Sequence, residues 1–230
     1  MKNLFKILHE KNQNHLLWAN SLLLAVIVLM LVAVAFFPES IHSILNKILT
    51  TGILFCSIFS LSSRTRIILP VAVLLILFQW IAKILNIDIL EITASLLNTV
   101  FYIYIVYKLI SQFVKAKKVS KLVILGSING YLLMGLAFSI FTIVVSWLYP
   151  NSYYSSISNT FLKDTANFHT YIYYTFITMA TVGYGDIVPI SAAARAIAVL
   201  ISVSGQFYIA ILVAFLVGKF AGIHVNALKN

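Results

Sequence analysis

The chain has 230 residues, of which 61% are hydrophobic and only 10% charged, and its mean hydropathy is +1.00. Soluble domains carry about 25% charged residues, so this composition excludes a soluble fold and predicts a membrane protein. The formal net charge of +10 is spread over short segments between apolar runs. That distribution argues against nucleic acid as a partner, because phosphate binding needs clustered basic residues.

Six apolar segments are long enough to cross a bilayer as helices, which takes about 20 residues each. They are residues 16–37, 44–61, 67–85, 89–110, 122–149 and 192–218. Lipid offers the backbone no hydrogen-bond partner and no alternating barrel pattern is present, so we expect an all-α membrane protein. A cleaved signal peptide ending near 33–35 is the alternative for the first segment. Its apolar stretch exceeds the usual 7–15 residues of such signals, which favours a retained helix.

The charges between these segments predict the orientation of the chain. With the N-terminus inside, 12 of the 16 Lys and Arg residues lie on the cytoplasmic side, as membrane topology favours. We therefore expect a multi-pass protein of the cell (plasma or inner) membrane with both termini cytoplasmic. The cytoplasmic parts are then segment 1–15, a basic linker 111–121 and a short tail 220–230. The linker lysines are either a topology signal alone or a site for anionic lipid head groups.

A shorter apolar and aromatic segment follows the fifth span, at residues 167–180. A run of this length cannot cross a bilayer, and Asn167 is a residue type that caps helices. The sequence Thr-Val-Gly-Tyr-Gly-Asp comes next, at residues 181–186. A short helix followed by a glycine-alternating loop predicts a re-entrant element, which is tolerated at membrane depth only where it lines a cavity.

Glycine at alternate positions of this loop permits unusual backbone angles. Gly183 and Gly185 can adopt φ > 0 without steric cost. Successive carbonyl groups can then point to the same side, which an ordinary strand forbids. Four such loops around an axis would form rings of oxygens that replace the hydration shell of a monovalent cation.

Residues 181–186 resemble the selectivity filter of tetrameric potassium channels, and the resemblance extends over the two-helix pore domain 122–219. It implies a homotetramer with K⁺ as the permeant ion and no other cofactor. The resemblance also assigns the ion ligands. They are the backbone carbonyls of Thr181, Val182, Gly183 and Tyr184, within a filter completed by Gly185, together with the Thr181 hydroxyl.

The same resemblance implies which residues support the filter. The ring of Tyr184 points away from the ion, towards the pore-helix aromatics Tyr173 and Tyr174. Thr178 stands at a position where the family places a threonine. Asp186 lies at the outer mouth, where it either concentrates cations or ties the filter to its pore helix.

The sixth span carries two further candidates. Gly205 occupies the position of the family's hinge glycine in the inner helix, although close helix packing explains a glycine there equally well. Gln206 follows it, and an amide in a membrane helix seldom faces lipid. The family alignment places Gln206 in the water-filled cavity. In the fifth span, Gly126 and Gly130 form a GxxxG motif, which we interpret as helix packing with Asn129 hydrogen-bonded across the interface.

Residues 16–110 form a predicted four-helix membrane domain. Voltage-gated relatives repeat arginine every third residue in their fourth helix, whereas residues 89–110 hold only Glu91 and Lys108 at opposite ends. We therefore expect a domain that is not a conventional voltage sensor, and channel opening that depends weakly on voltage.

These observations predict a potassium-selective channel that conducts K⁺ passively in a lipid membrane and performs no catalysis. Each chain would contribute six transmembrane helices, one re-entrant pore helix and one filter loop to a tetrameric pore. Three alternatives remain: a weakly selective cation channel, a potassium transporter of the related superfamily, and a non-conducting regulatory or scaffold subunit. A transporter would carry four filter loops in one chain, and this chain has one.

Overall fold

The computed structural model describes residues 2–32, 36–37, 39–61, 68–116, 119–162 and 168–227, and these residues are mostly helical. Among these residues, seven helices and three short strands follow one another. They are α1 (Lys2–Val32), α2 (Glu39–Ser60), α3 (Ile68–Leu85), α4 (Asp88–Lys115), α5 (Lys121–Leu148), β1 (Tyr153–Ser155), β2 (Thr160–Phe161), α6 (Phe168–Met179), β3 (Ile187–Pro189) and α7 (Ala192–Ala227).

Each of the six predicted spans overlaps one helix among α1 to α5 and α7, although the first span was predicted to continue to residue 37 and α1 ends at Val32. Five helical segments of the described residues are long and apolar enough to cross a membrane: Gln13–Val32, Ile68–Leu85, Asp88–Gln112, Lys121–Leu148 and Ala192–Lys219. The apolar part of α2, Ile44–Ser60, is shorter, so a crossing by α2 stays a prediction. The proposed cleavage site at 33–35 and the cap at Asn167 lie outside the described residues.

Helix α5 lies at the centre of the molecule and packs against α1, α4, α6 and α7. A buried core joins α1, α2 and α4 to α5, with Ile27, Ile53, Ile105 and Leu136 at most 1% exposed. In lipid, which is as apolar as these side chains, such a core is stabilised by close van der Waals packing. The helices that precede the basic linker therefore share their core with the pore region.

Buried polar side chains link α5 to α1. Asn129 Nδ2 donates to the backbone oxygen of Asn20 at 2.9 Å, and Asn20 Nδ2 donates to the carbonyl of Ser60 at 3.0 Å. Gly126 lies against this network, since a Cβ there would be 3.9 Å from Asn20 Oδ1. Asn129 thus bonds across a helix interface, with α1 as its partner.

The second GxxxG glycine faces the inner helix α7. Tyr208 of α7 donates from its hydroxyl to the Ser127 carbonyl at 2.7 Å, and a Cβ on Gly130 would be 2.5 Å from that hydroxyl oxygen. Because the tyrosine is buried and bonded, it cannot move aside without losing this hydrogen bond.

We expect Gly130→Ala to destabilise the protein by about 1–3 kcal/mol, since overpacking forces the Tyr208 ring away from α5. Gly126→Ala is the matched control on the same helix, because its nearest neighbour would be 3.7 Å away, an ordinary contact. Thermal unfolding of the two purified variants measures the difference. Equal melting temperatures would show that the Tyr208 contact does not constrain position 130.

Candidate ion filter

Helix α6 is a short helix held against α5 by polar contacts. Its 12 residues span about 18 Å, well short of the roughly 30 Å of bilayer hydrocarbon. The hydroxyls of Thr142 and Thr175 lie 3.3 Å apart, and those of Ser146 and Tyr171 lie 2.7 Å apart. These side chains fix α6 beside α5, so that its C-terminal end positions the loop that follows.

The loop after α6 alternates in backbone conformation. Thr181, Gly183 and Gly185 have φ of 59°, 54° and 78°, while Val182 and Tyr184 between them do not have positive φ. Two of these positions are the glycines that the sequence singles out. Positive φ at Thr181 is not evident from sequence, because a β-branched residue adopts this conformation only under strain.

Backbone N–H groups of the loop attach it to the end of α6. Thr181 donates to the Thr178 carbonyl at 3.0 Å, and Val182 donates to the Ile177 carbonyl at 3.0 Å. Gly183 also donates to Ile177, at 3.4 Å. The amide donors thus hold the loop in place, and residues 181–185 are exposed in this single chain.

Asp186 connects the end of the loop to α6. Its Oδ2 accepts a hydrogen bond from the Tyr173 hydroxyl at 2.5 Å, and its Oδ1 accepts from the Ile187 N–H at 3.0 Å. Its backbone carbonyl accepts from the Ser156 N–H at 2.9 Å. Of the two predicted roles of Asp186, the geometry fits the one that ties the loop to the helix.

We expect the effects of Tyr173→Phe and Asp186→Asn on stability to be coupled. Either change removes the same hydrogen bond to a charged group, which is worth about 1.5–3 kcal/mol. A double-mutant cycle on the free energy of unfolding should show that either change lowers stability little once the other is present. Tyr154→Phe is the control, since that hydroxyl bonds Asn159 in the surface hairpin. Additive effects of Tyr173→Phe and Asp186→Asn would contradict the contact.

A three-stranded antiparallel sheet, absent from the prediction, supports the segment after the loop. Strand β1 lies between β2 and β3, with Tyr154 opposite Val188. The Ile190 N–H donates to the Ser152 carbonyl at 2.7 Å, next to the start of α7. The strands have only two or three residues, too few for the sequence alternation that identifies a strand.

The aromatic residues around the loop take separate positions. Tyr174 is buried with its ring 5.2 Å from that of Tyr153, so it packs on the sheet. Tyr184 is 71% exposed in the single chain. Its predicted packing against pore-helix aromatics stays a prediction, and an adjacent subunit would have to provide part of the contact.

The inner helix approaches the end of α6 at Gly205. A Cβ on this residue would be 2.5 Å from the backbone oxygen of Met179 and 2.6 Å from its Cγ. Helix α7 is continuous through this position. The geometry therefore fits the close-packing explanation of this glycine, and the hinge explanation is left to experiment. Gln206, which follows it, is exposed in this chain.

A histidine pair lies where α6 begins. The rings of His169 and His42, from α6 and α2, have centroids 5.7 Å apart. Burial, together with a smaller contribution from the nearby His42, lowers the pKa of His169 to about 4. His169 is thus neutral at pH 7.

Among the residues that the structure describes, no group of three or more His, Cys, Asp or Glu side chains is arranged to hold a metal ion.

Comparison with known proteins gives one family match and one partial match to a single protein. Residues 136–221 match a family model described as "Ion channel". Over 47 residues the chain is 47% identical to the calcium-gated potassium channel TvoK of Thermoplasma volcanium; the match covers 20% of this chain and 14% of that protein. No solved structure matches the chain significantly. Residues 136–221 are thus similar to an ion channel domain, and together with the motif at residues 181–186 these matches support the potassium channel family.

Proposed function

We propose that the chain is a subunit of a tetrameric channel that conducts K⁺ passively and selectively. The observation that carries this proposal is the alternation of positive φ at Thr181, Gly183 and Gly185 in a loop whose amides bond to α6. The ion ligands are the carbonyls of residues 181–184 and the Thr181 hydroxyl. Neutral carbonyl dipoles bind a dehydrated K⁺ firmly, yet weakly enough for it to leave.

Two observations favour a tetramer. The filter loop is exposed, with Val182 48% exposed, although polar backbone at membrane depth must line a cavity. Only 17% of the membrane-length part of α7 is buried, the smallest share among the five candidate spans. Four copies around one axis would enclose the loops and cover part of α7. Each chain contributes one loop, so fewer copies could not surround an ion.

The proposal includes the topology and the gating. The chain lies in a cell membrane with both termini in the cytoplasm. Channel opening depends weakly on voltage because α4 lacks the arginine repeat of a voltage sensor. Gln206 faces the cavity of the assembled pore. The relative is named as calcium-gated, but it matches this chain over 47 residues only. Calcium gating is therefore not part of the proposed function.

Ion flux into liposomes tests the proposal against its alternatives. Purified protein is reconstituted, its oligomeric state is measured, and flux of K⁺ and of Na⁺ is compared with that in protein-free liposomes. We expect tetramers that pass K⁺ and exclude Na⁺. Equal flux of the two ions would indicate a weakly selective channel, and tetramers that pass neither ion would indicate a scaffold or regulatory subunit.

A further inference from the structure

A cavity of about 430 Å³ lies outside the filter, mainly among α2, α3, α4 and α5, and we call it the side pocket. Its volume is in the range of pockets that bind small molecules. Residues of α2, α3 and α4 form its polar side, and residues of α5 form its apolar side. Phe168, the first residue of α6, also lines it, so the side pocket adjoins the pore helix.

The charged side chains that line the side pocket cancel one another. They are Lys47, Lys83, Asp88 and Glu91. The ammonium groups of Lys47 and Lys83 lie 3.6 and 3.7 Å from the two carboxylate oxygens of Glu91. Moving an ion out of water is costly unless the site compensates its charge. A pocket without net charge gives no such compensation to an anion or to a cation, so it favours an uncharged ligand.

Several side-chain donors on the polar side already have partners within the protein. Asn98 Nδ2 donates to Gln79 Oε1 at 2.6 Å, and Gln79 Nε2 donates to the Lys47 carbonyl at 3.2 Å. The hydroxyls of Thr50 and Ser95 donate to backbone carbonyls of their own helices, at 2.6 and 2.8 Å. These hydrogen bonds fix the polar side and occupy donors that could otherwise serve its remaining acceptors.

Three side-chain oxygens on this side have no hydrogen-bond partner within the described residues. They are Asn46 Oδ1, Asn98 Oδ1 and the Tyr102 hydroxyl, on residues that are at most 8% exposed. A buried polar atom without a partner lowers stability, and an amide oxygen can only accept a hydrogen bond. A ligand with N–H or O–H groups would supply the missing donors once the asparagine side chains turn towards the cavity.

The opposite side of the side pocket is apolar. Ile140, Ile143, Val144 and Trp147 of α5 line it, and Phe168 continues the apolar surface onto α6. A molecule that fills the cavity therefore meets unpaired acceptors on one side and hydrocarbon on the other.

We propose that the side pocket binds an uncharged amphiphile whose polar end carries at least two N–H or O–H donors. The donors bond to Asn46 Oδ1 and Asn98 Oδ1, and the hydrocarbon part lies against α5. A monoacylglycerol of the bilayer has this chemistry through its two hydroxyls, and a soluble alkyl amide has it through its N–H groups. The proposal concerns binding and does not depend on conduction through the filter.

Thermal unfolding of the full chain in phosphatidylcholine nanodiscs, at increasing probe concentration, tests the proposal. Three soluble probes share an eight-carbon chain: octanamide has two N–H donors, N,N-dimethyloctanamide has none, and octanoate is charged and has none. For the bilayer source, monooleoylglycerol has two hydroxyls and methyl oleate has none.

We expect a saturable rise in melting temperature with octanamide if the ligand is soluble, or with monooleoylglycerol if it comes from the bilayer. The three probes without donors should leave the melting temperature unchanged. Equal shifts with and without donors would overturn the proposal, because hydrocarbon alone would then explain binding. The absence of a saturable shift with both donor probes would overturn it as well.

Asn46→Leu tests the acceptor that the proposal assigns to the ligand. Leucine has a similar size but no oxygen, so binding of the stabilising probe should weaken about tenfold, equivalent to roughly 1.4 kcal/mol. The melting temperature without ligand should not fall, because the Asn46 oxygen has no hydrogen bond to lose. Ser57→Ala on the same helix is the control, since its hydroxyl bonds the Ile53 carbonyl and does not line the side pocket.

A purely structural role of Asn46 would give the opposite pattern. Asn46→Leu would then lower the melting temperature without ligand and leave the affinity for the probe unchanged. That result would contradict the proposal. The comparison of octanamide with N,N-dimethyloctanamide on the unmodified chain carries the test independently if the variant does not fold.

Discussion

Thr181→Ala is expected to lower the permeability ratio of potassium over sodium at least about tenfold, because each subunit of the proposed tetramer would lose a hydroxyl ligand worth roughly 1 kcal/mol. Thr181→Ser keeps the hydroxyl and is the matched control, with selectivity close to that of the original chain. Reversal potentials of reconstituted channels measure the ratio. A ratio unaffected by alanine would exclude the Thr181 hydroxyl as a ligand.

Gly183→Ala tests the backbone of the same filter. A Cβ at position 183 would meet no atom within 4 Å in the single chain, so steric contact inside the subunit is not the constraint. The constraint is the φ of 54°, which costs an L-residue with a Cβ roughly 1–2 kcal/mol. Since four subunits carry the same strain, we expect potassium flux to fall at least tenfold or selectivity to be lost.

Gly205→Ala is the third variant with a large expected effect. A Cβ there would lie 2.5 Å from the backbone oxygen of Met179, two residues before the filter. Backbone cannot yield as a side chain can, so we expect a destabilisation of about 1–3 kcal/mol and reduced conduction. Gly218→Ala on the same helix is the control, because a Cβ there would have open space around it.

The two explanations of Gly205 differ in what alanine changes. If the residue serves only as a hinge, Gly205→Ala shifts the open probability and leaves the melting temperature equal to that of Gly218→Ala. If it serves close packing, the melting temperature falls. Measuring both quantities on the two variants distinguishes a hinge from a packing contact.

The helices and the filter loop could be predicted because their signals are local. Long apolar runs require helices in lipid, and each predicted span overlaps a helix, with different ends for α1 and α7. The alternation of Gly183 and Gly185 likewise predicts positive φ at those positions. Positive φ at Thr181 was not predictable, since it depends on the attachment of the loop to Thr178 and Ile177 of α6.

Contacts between distant parts of the chain could not be predicted from the sequence. The partner of Asn129 is Asn20, 109 residues away, and the sequence pattern indicates only that a polar partner is needed. Lys47, Lys83 and Glu91 each lie near the end of a different predicted span. Only the packing of α2, α3 and α4 brings their charged groups together.

We infer that residues 181–186 form a potassium-selective filter. The most direct test is the reversal potential of the reconstituted channel in a planar bilayer with K⁺ on one side and Na⁺ on the other. We expect a large reversal potential, with the sign that selective permeation of K⁺ gives. We expect Gly183→Ala to bring this reversal potential close to zero. A reversal potential near zero for the unmodified chain would contradict the claim.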